Sequence, residues 1–283
     1  MDTSSTEATA HGTDRSTTAS PASADRAGAY LHRIGVPRPQ HPTAGALREL
    51  HLGHLRTVPF ENLSIHLGED IVLEEKALVA KVVDARRGGF CYELNGAFAA
   101  LLRWLGYEVT LLQARVYDDE GRPGIPYDHL ALRVETEEGP KLADVGFGAH
   151  SHYPLDLDGP GEQTDPGGVF RIDAAPQGDL IVLRNGKPQY LLDQRPRELA
   201  EFKAGAWYHR TSPESHFTRS PVCSRVTDDG RITLSGNTLT TTVGAERDTA
   251  ELAETDVLSA YEQHFGIMLD RLPDRPDLSR QPD

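Results

Sequence analysis

The chain has 283 residues, 38% hydrophobic and 25% charged, and its formal net charge at pH 7 is −14. Such an acidic surface repels a phosphate backbone, so we expect no nucleic-acid partner. The sequence has no run of about 18 apolar residues and no secretory signal, which predicts neither a transmembrane helix nor a membrane partner. The two cysteines, Cys91 and Cys223, occur in dissimilar surroundings, which favours free thiols and a cytoplasmic location.

The two ends of the chain are polar. Ser, Thr and Ala make up 16 of the first 26 residues, and none of the 26 is Leu, Ile, Val or aromatic. Such a segment buries too little apolar surface to offset its chain entropy. The sequence therefore predicts a disordered leader over residues 1–26 and a polar tail over residues 273–283.

Helical periodicity dominates residues 27–106. Apolar residues at helical spacing predict helices over 30–34, 47–55, 74–85 and 91–105. Gly88 and Gly89 end the third of these helices, and Gly106 is placed to cap the fourth. These residues are expected to form a helical bundle.

After Gly106 the apolar period changes to two. Strands are predicted over 109–117, 130–136, 141–145, 180–184 and 189–192, which makes residues 107–200 a sheet or barrel. Residues 201–272 combine predicted strands at 222–226, 231–234 and 239–243 with a helix at 250–265. This order of elements predicts an α+β fold with three parts.

Cys91 is a candidate nucleophile. The preceding Gly-Gly turn delivers it to the first turn of an amphipathic helix, where backbone N–H groups and the positive end of the helix dipole stabilise a thiolate. The alternative is an inert core cysteine, because free Cys is among the most buried residue types.

His129 and Asp144 are the candidate partners of that thiol. They lie in two predicted strands joined by a short Glu-Glu-Gly stretch, which predicts an antiparallel hairpin. If Glu137 pairs with Pro140 across a two-residue turn, His129 and Asp144 face the same side; a three-residue loop would place them on opposite faces.

A thiol, an imidazole and a carboxylate together supply a nucleophile, a base and a group that orients the base. Each residue also has an ordinary structural role, since a lone His is often a core residue and an Asp before Gly is often a turn former. A zinc site needs several closely spaced ligands, and Cys223 lies in an apolar, strand-like run. We therefore expect no metal.

Five ordered motifs carry a resemblance to a known family, and the resemblance covers roughly residues 27–272. They are PFENL at 59–63, RGGFCYELN at 87–95, HLAL at 129–132, DVGFG at 144–148 and SPESHF at 212–217. In these motifs the chain resembles the arylamine N-acetyltransferase family.

The resemblance implies a helical bundle, a β-barrel and an α/β lid, of which the first two are shared with papain-like thiol enzymes. It implies that Cys91 is the acetyl-carrying nucleophile, His129 its base and Asp144 the orienting acid. The co-substrate would be acetyl-CoA and the acceptor an aromatic amine. A thioester donor exchanges readily onto a thiolate, so the residue types suit this chemistry.

Several other residues receive weaker assignments. Arg87 and Glu61 match family positions that form a buried structural ion pair. Four aromatic residues are candidates to line an amine pocket, with ordinary core packing as the alternative for each: Phe90, Tyr127, Phe147 and Phe217. Residues 118–126 are expected to form a loop over the cleft.

Three other functions remain open. An amide synthase that releases a carrier-bound polyketide onto an aromatic amine would use the same triad. A papain-like thiol hydrolase would instead hydrolyse its acyl-enzyme with water. A silent binding module is disfavoured because all three triad residue types occur in order. The oligomeric state is not predicted.

Overall fold

The computed structural model describes residues 21–274, and its first part is helical. The helices are α1 (Pro21–Ile34), α2 (Ala44–Thr57), α3 (Leu63–His66), α4 (Glu75–Val83) and α5 (Cys91–Trp104). Helix α1 begins within the predicted leader, so the expectation of disorder does not hold for residues 21–26. In this stretch Arg26 pairs with Asp84 at 2.8 Å. Residues 1–20 of the predicted leader lie outside the described residues.

Helix α5 is the centre of the helical part. Every residue from Cys91 to Leu102 is buried, and α1 and α4 pack against the helix. The Glu93 carboxylate accepts the backbone N–H of Phe90 at 3.3 Å, which caps the helix N-terminus. Gly106 has a φ of +93°, the left-handed conformation expected of a residue that ends a helix.

The second part is an antiparallel sheet of eight strands in the described part of the chain. The strands are β2 (Val109–Val116), β3 (His129–Val134), β4 (Lys141–Ala143), β5 (Leu155–Asp156), β6 (Gln163–Asp165), β7 (Gly168–Ala174), β8 (Leu180–Arg184) and β9 (Lys187–Arg197). Their order in the sheet is β5-β4-β3-β2-β9-β8-β7-β6. The Gln163 side chain bonds the N–H and C=O of Asp156 at 2.7 and 2.9 Å, which joins the two edge strands into a nearly closed barrel. Phe170, Val182 and Tyr190 are among its buried core residues.

The third part combines a second sheet with two helices. The strands are β1 (Phe60–Glu61), β10 (Val222–Val226), β11 (Gly230–Ser235), β12 (Thr238–Val243) and β13 (Glu246–Glu251), paired in the order β1-β10-β11-β12-β13, and β1 comes from the helical part of the chain. The helices are α6 (Lys203–Thr211) and α7 (Glu254–Ala260), and α7 continues as a π-helical turn over Tyr261–Phe265.

The predicted helix at 250–265 is wrong at its start. Ala250 lies in β13 and pairs with Leu239, because Gly244, with a φ of +57°, turns the chain back into a hairpin. At the other end, the Asp274 N–H bonds the His66 carbonyl at 2.8 Å, so the start of the predicted tail contacts α3. Residues 275–283 lie outside the described residues.

Across residues 21–274, no helix combines the length and the apolar character needed to span a membrane.

Candidate active site

Cys91 is the first residue of α5 and is 4% exposed. Its Sγ lies 4.0 Å from the Asp128 carbonyl oxygen. The two residues before Phe90 must be glycines because the chain packs closely there. A Cβ on Gly88 would lie 1.8 Å from the Pro59 carbonyl oxygen, and one on Gly89 would lie 2.6 Å from Glu93 Oε2. The Gly-Gly turn thus directs a thiol to a helix N-terminus, where backbone N–H groups favour negative charge.

His129 and Asp144 form a direct pair. His129 opens β3, and its Nε2 lies 2.7 Å from Asp144 Oδ2, with both residues at most 3% exposed. The strand register pairs Leu132 with Ala143 and Val134 with Lys141, so the predicted pairing of residues 137 and 140 is wrong by two positions. The Gly139 N–H closes a four-residue turn onto the Thr136 carbonyl at 3.0 Å. A shift of two keeps the same face, so the predicted orientation holds.

The charges of the site are set by this pair. Burial lowers the pKa of His129, but the charge and hydrogen bond of Asp144, together with Cys91, raise it to about 10. Burial raises the pKa of Asp144, but the positive charge and hydrogen bond of His129, together with other neighbours, have the larger combined effect. The pKa of Asp144 is therefore held well below its usual range. Because Nε2 faces Asp144, Nδ1 is the ring nitrogen left to interact with Cys91, which also contributes to the raised pKa of His129.

Asn95 supports Asp144, a role that the sequence reasoning missed. Its Nδ2 donates to Asp144 Oδ1 at 2.9 Å and to the Leu130 carbonyl at 2.6 Å, and its Oδ1 accepts the Val145 N–H at 3.0 Å. Asn95 follows Cys91 by four residues in α5, so both side chains lie on one helix face. That spacing was the available signal.

His51 of α2 is a second missed support. Its Nε2 accepts the Asp144 backbone N–H at 3.1 Å, so its Nδ1 carries the proton and donates to the His152 carbonyl at 2.9 Å. Burial lowers the pKa of His51 to about 4, which keeps the ring neutral in this role. Nothing in the local sequence around His51 indicated this contact.

The four predicted pocket aromatics are not all brought together. Phe90 is fully buried, with its ring centroid 5.4 Å from that of Phe217. The Phe147 ring meets His129 edge-on at 5.1 Å. Tyr127 packs instead against Phe202 at 5.4 Å. The structure thus places Phe147 against His129 and Phe217 against Phe90, the residue before Cys91, and turns the Tyr127 ring towards the segment before α6.

The predicted Arg87–Glu61 ion pair is present beneath the Gly-Gly turn. Arg87 Nε lies 2.9 Å from Glu61 Oε1, and Glu61 is fully buried. Glu61 Oε2 also accepts the Leu63 N–H at 2.7 Å, while the Glu61 N–H donates to the Gly89 carbonyl at 2.8 Å. The pair therefore ties the turn that carries Cys91 to strand β1.

Comparisons with known proteins agree with this geometry. A sequence model described as N-acetyltransferase matches residues 43–273. The chain is 36% identical to an arylamine N-acetyltransferase of Mycolicibacterium smegmatis over 258 residues, covering 88% of this chain and 94% of that protein.

Solved structures show the same fold. A M. smegmatis arylamine N-acetyl transferase superposes with a TM-score of 0.78 at 34% identity, covering 85% of this chain and 91% of that one. A Mycobacterium marinum arylamine N-acetyltransferase in complex with CoA also gives a TM-score of 0.78, at 31% identity, covering 85% and 92%. The predicted α+β fold with a papain-like core is confirmed.

Proposed function

The chain belongs to the arylamine N-acetyltransferase family, and on that premise we propose that it transfers an acetyl group from acetyl-CoA to an arylamine or arylhydrazine through a thioester on Cys91. The observation that carries the proposal is the contact of 2.7 Å between His129 Nε2 and Asp144 Oδ2, which leaves Nδ1 for Cys91, a group that helps to raise the pKa of His129. This arrangement supplies a nucleophile, a proton carrier and a fixed counter-charge.

In the first half-reaction, the Cys91 thiolate attacks the acetyl carbonyl carbon of acetyl-CoA and forms a new C–S bond. The tetrahedral intermediate then breaks its bond to the coenzyme sulfur, and the departing thiolate takes a proton from the His129 imidazolium. The products are an acetyl-Cys91 thioester and free coenzyme A. A thioester is exchanged for a thioester, so the acyl-enzyme is close in energy to the donor.

In the second half-reaction, the amine nitrogen attacks the thioester carbonyl. Neutral His129 accepts the proton that the amine loses, and the Cys91 thiolate leaves, which restores the starting ion pair. The first turn of α5 offers backbone N–H groups to the oxyanion of both tetrahedral intermediates. Asp144 holds the ring with Nδ1 towards the thiol and compensates the imidazolium charge in each half-reaction.

The acceptor is proposed to bind against the Phe147 and Phe217 rings. Phe147 packs on His129, and Phe217 packs on Phe90, which precedes Cys91 in the chain. Aromatic faces at that position favour a flat aromatic amine over a charged alkyl amine. Cys91 and Cys223 are both free thiols, which supports the proposal of a cytoplasmic location.

Two measurements test this function. Purified protein incubated with acetyl-CoA should gain one acetyl group located on Cys91, and Cys91→Ala should gain none, whereas Cys223→Ala should still be acetylated. Initial-rate plots at several fixed arylamine concentrations should be parallel, because coenzyme A leaves before the amine reacts. Acetylation elsewhere, or intersecting lines, would exclude the Cys91 route.

A further inference from the structure

His209 connects the third part of the fold to the residue beside the proposed base. It is buried in α6, and its Nε2 lies 2.8 Å from Asp128 Oδ1. Its Nδ1 lies 3.0 Å from Ser215 Oγ, which already accepts the Phe217 N–H at 3.2 Å. The Ser215 hydroxyl can therefore donate to Nδ1, which leaves the proton of a neutral His209 on Nε2, directed at Asp128.

Asp128 in turn fixes the backbone at the mouth of the site. Its Oδ2 accepts the Val116 N–H at 2.9 Å, which closes the ends of β2 and β3. The Tyr92 hydroxyl lies 2.7 Å from the Tyr127 carbonyl oxygen and 2.9 Å from the Asp128 carbonyl oxygen. The Asp128 carbonyl oxygen also lies 4.0 Å from Cys91 Sγ. His129 is the next residue, so the orientation of the Asp128 peptide sets the position of the His129 Cα, from which the imidazole extends.

The backbone at this point is strained and needs such anchors. Tyr127 has a φ of +60°, a left-handed conformation that a bulky residue rarely adopts. Helix α6 lies directly on it: a Cβ on Gly205 would lie 2.4 Å from the Tyr127 carbonyl oxygen. His209 follows Gly205 by four residues and lies on the same helix face. One helix thus holds two consecutive residues: Gly205 packs against the backbone of Tyr127, and His209 bonds the side chain of Asp128.

We propose that His209 is a positioning residue for acetyl transfer, which acts through Asp128 to hold His129 in place against Cys91. This inference rests on the proposed function, because it assigns His209 a role in acetyl transfer. The contacts behind it do not depend on which acceptor the protein uses. Loss of the donor at Nε2 releases one anchor of a strained turn, so the His129 ring shifts relative to the thiol. A displacement of that kind slows the chemical step more than it weakens substrate binding.

The test compares His209→Leu, which removes the donor, with His209→Gln, which places an amide N–H near the Nε2 position. The matched control is Arg210→Met on the same helix, where the lost partner is the exposed Asp70. The readouts are the single-turnover rate of Cys91 acetylation, the KM for acetyl-CoA, the rate of Cys91 alkylation by iodoacetamide, and stability in urea.

We expect His209→Leu to slow acetylation and alkylation about 10- to 100-fold, with KM changed less than about threefold. His209→Gln should recover most of the rate, and Arg210→Met should match the parent. Parental rates in a folded His209→Leu, or equal losses in the Leu and Gln variants, would overturn the proposal.

If His209→Leu does not fold, Asp128→Asn is used to test the proposal. It keeps the side-chain shape and weakens the contact with His209, so a parental acetylation rate overturns the proposal and a slowed rate supports it. Alkylation separates this inference from the proposed function. If the parent protein is not acetylated on Cys91, the proposed function fails, while the alkylation rates of the variants still decide the role of His209.

Discussion

Gly146 and Cys91 pack against each other so closely that a Cβ on Gly146 would lie 2.7 Å from the Cys91 Cα. The same Cβ would lie 2.7 Å from Asn95 Nδ2, so even a methyl group must displace α5 or the segment after Asp144. We therefore expect Gly146→Ala to lower the free energy of unfolding by about 1–3 kcal/mol, and acetylation of Cys91 to slow. Gly28→Ala is the control, because its Cβ meets nothing within 4 Å. If both variants behave alike, the close contact has no functional consequence.

The two cysteines should differ in reactivity. Cys91 lies at a helix N-terminus beside His129, whereas Cys223 is fully buried in β10, where burial raises the pKa of its thiol well above the usual value. Iodoacetamide at neutral pH should label Cys91 and abolish activity, as shown by peptide mass spectrometry. Cys223→Ala should be inactivated at the parental rate. Preferential labelling of Cys223 would remove Cys91 from its proposed role.

Asp144→Asn should keep the fold and lose most of the activity. The amide is nearly isosteric, but it no longer compensates the imidazolium charge or enforces the ring orientation of His129. We expect kcat to fall roughly 100- to 10,000-fold. Asp173→Asn, which removes half of an exposed ion pair with Arg171, should leave kcat unchanged. If Asp144→Asn turns over at the parental rate, Asp144 serves only the turn.

The raised pKa of His129 predicts a specific dependence of stability on pH. Because its folded-state pKa is about 10 against 6.5 for the free side chain, the stabilisation is fully present below pH 6.5 and is lost as the pH rises through 10. The difference in unfolding free energy between the parent and His129→Gln, measured in urea, should shrink by on the order of a few kcal/mol between pH 6.5 and 10. A constant difference would mean that His129 is not charged in the folded protein.

Loss of the Arg87–Glu61 pair should lower the stability of the fold more than it slows acetyl transfer. Glu61 is fully buried, and Arg87→Met removes its hydrogen-bonded partner and leaves it only the charge of Lys81, so the substitution should cost about 3–5 kcal/mol in urea unfolding. Arg26→Met breaks a pair whose side chains are 34% and 56% exposed, and should cost about 0–1 kcal/mol. A stable Arg87→Met that has lost acetyl transfer would instead place Arg87 in the reaction.

The sequence predicts local structure and the candidate reactive residues better than it predicts the residues that support them. Cys91, His129 and Asp144 can be proposed from the sequence because their residue types and strand parity carry chemical information. The face shared by His129 and Asp144 was predicted correctly even though the turn was wrong, because a register shift of two preserves the face.

The supports of Asp144 depend on contacts between distant parts of the chain. His51 meets Asp144 from 93 positions away, and no local pattern encodes that approach. The orientation of Tyr127 was missed for a related reason, since its left-handed backbone packs against Gly205 of α6, which is distant in the sequence. Strand β13 was missed because its six residues are all exposed and show no alternation.

Helix α5 carries both the thiol and, four residues later, the amide that holds Asp144. Because the helix is a single rigid element, any displacement of it relative to the barrel moves the Cys91 and Asn95 contacts together. We therefore expect the site to open as one cooperative unit. Hydrogen exchange at the amides of residues 91–95 and 129–132 should accordingly report a common opening free energy, even though the two segments belong to a helix and a sheet.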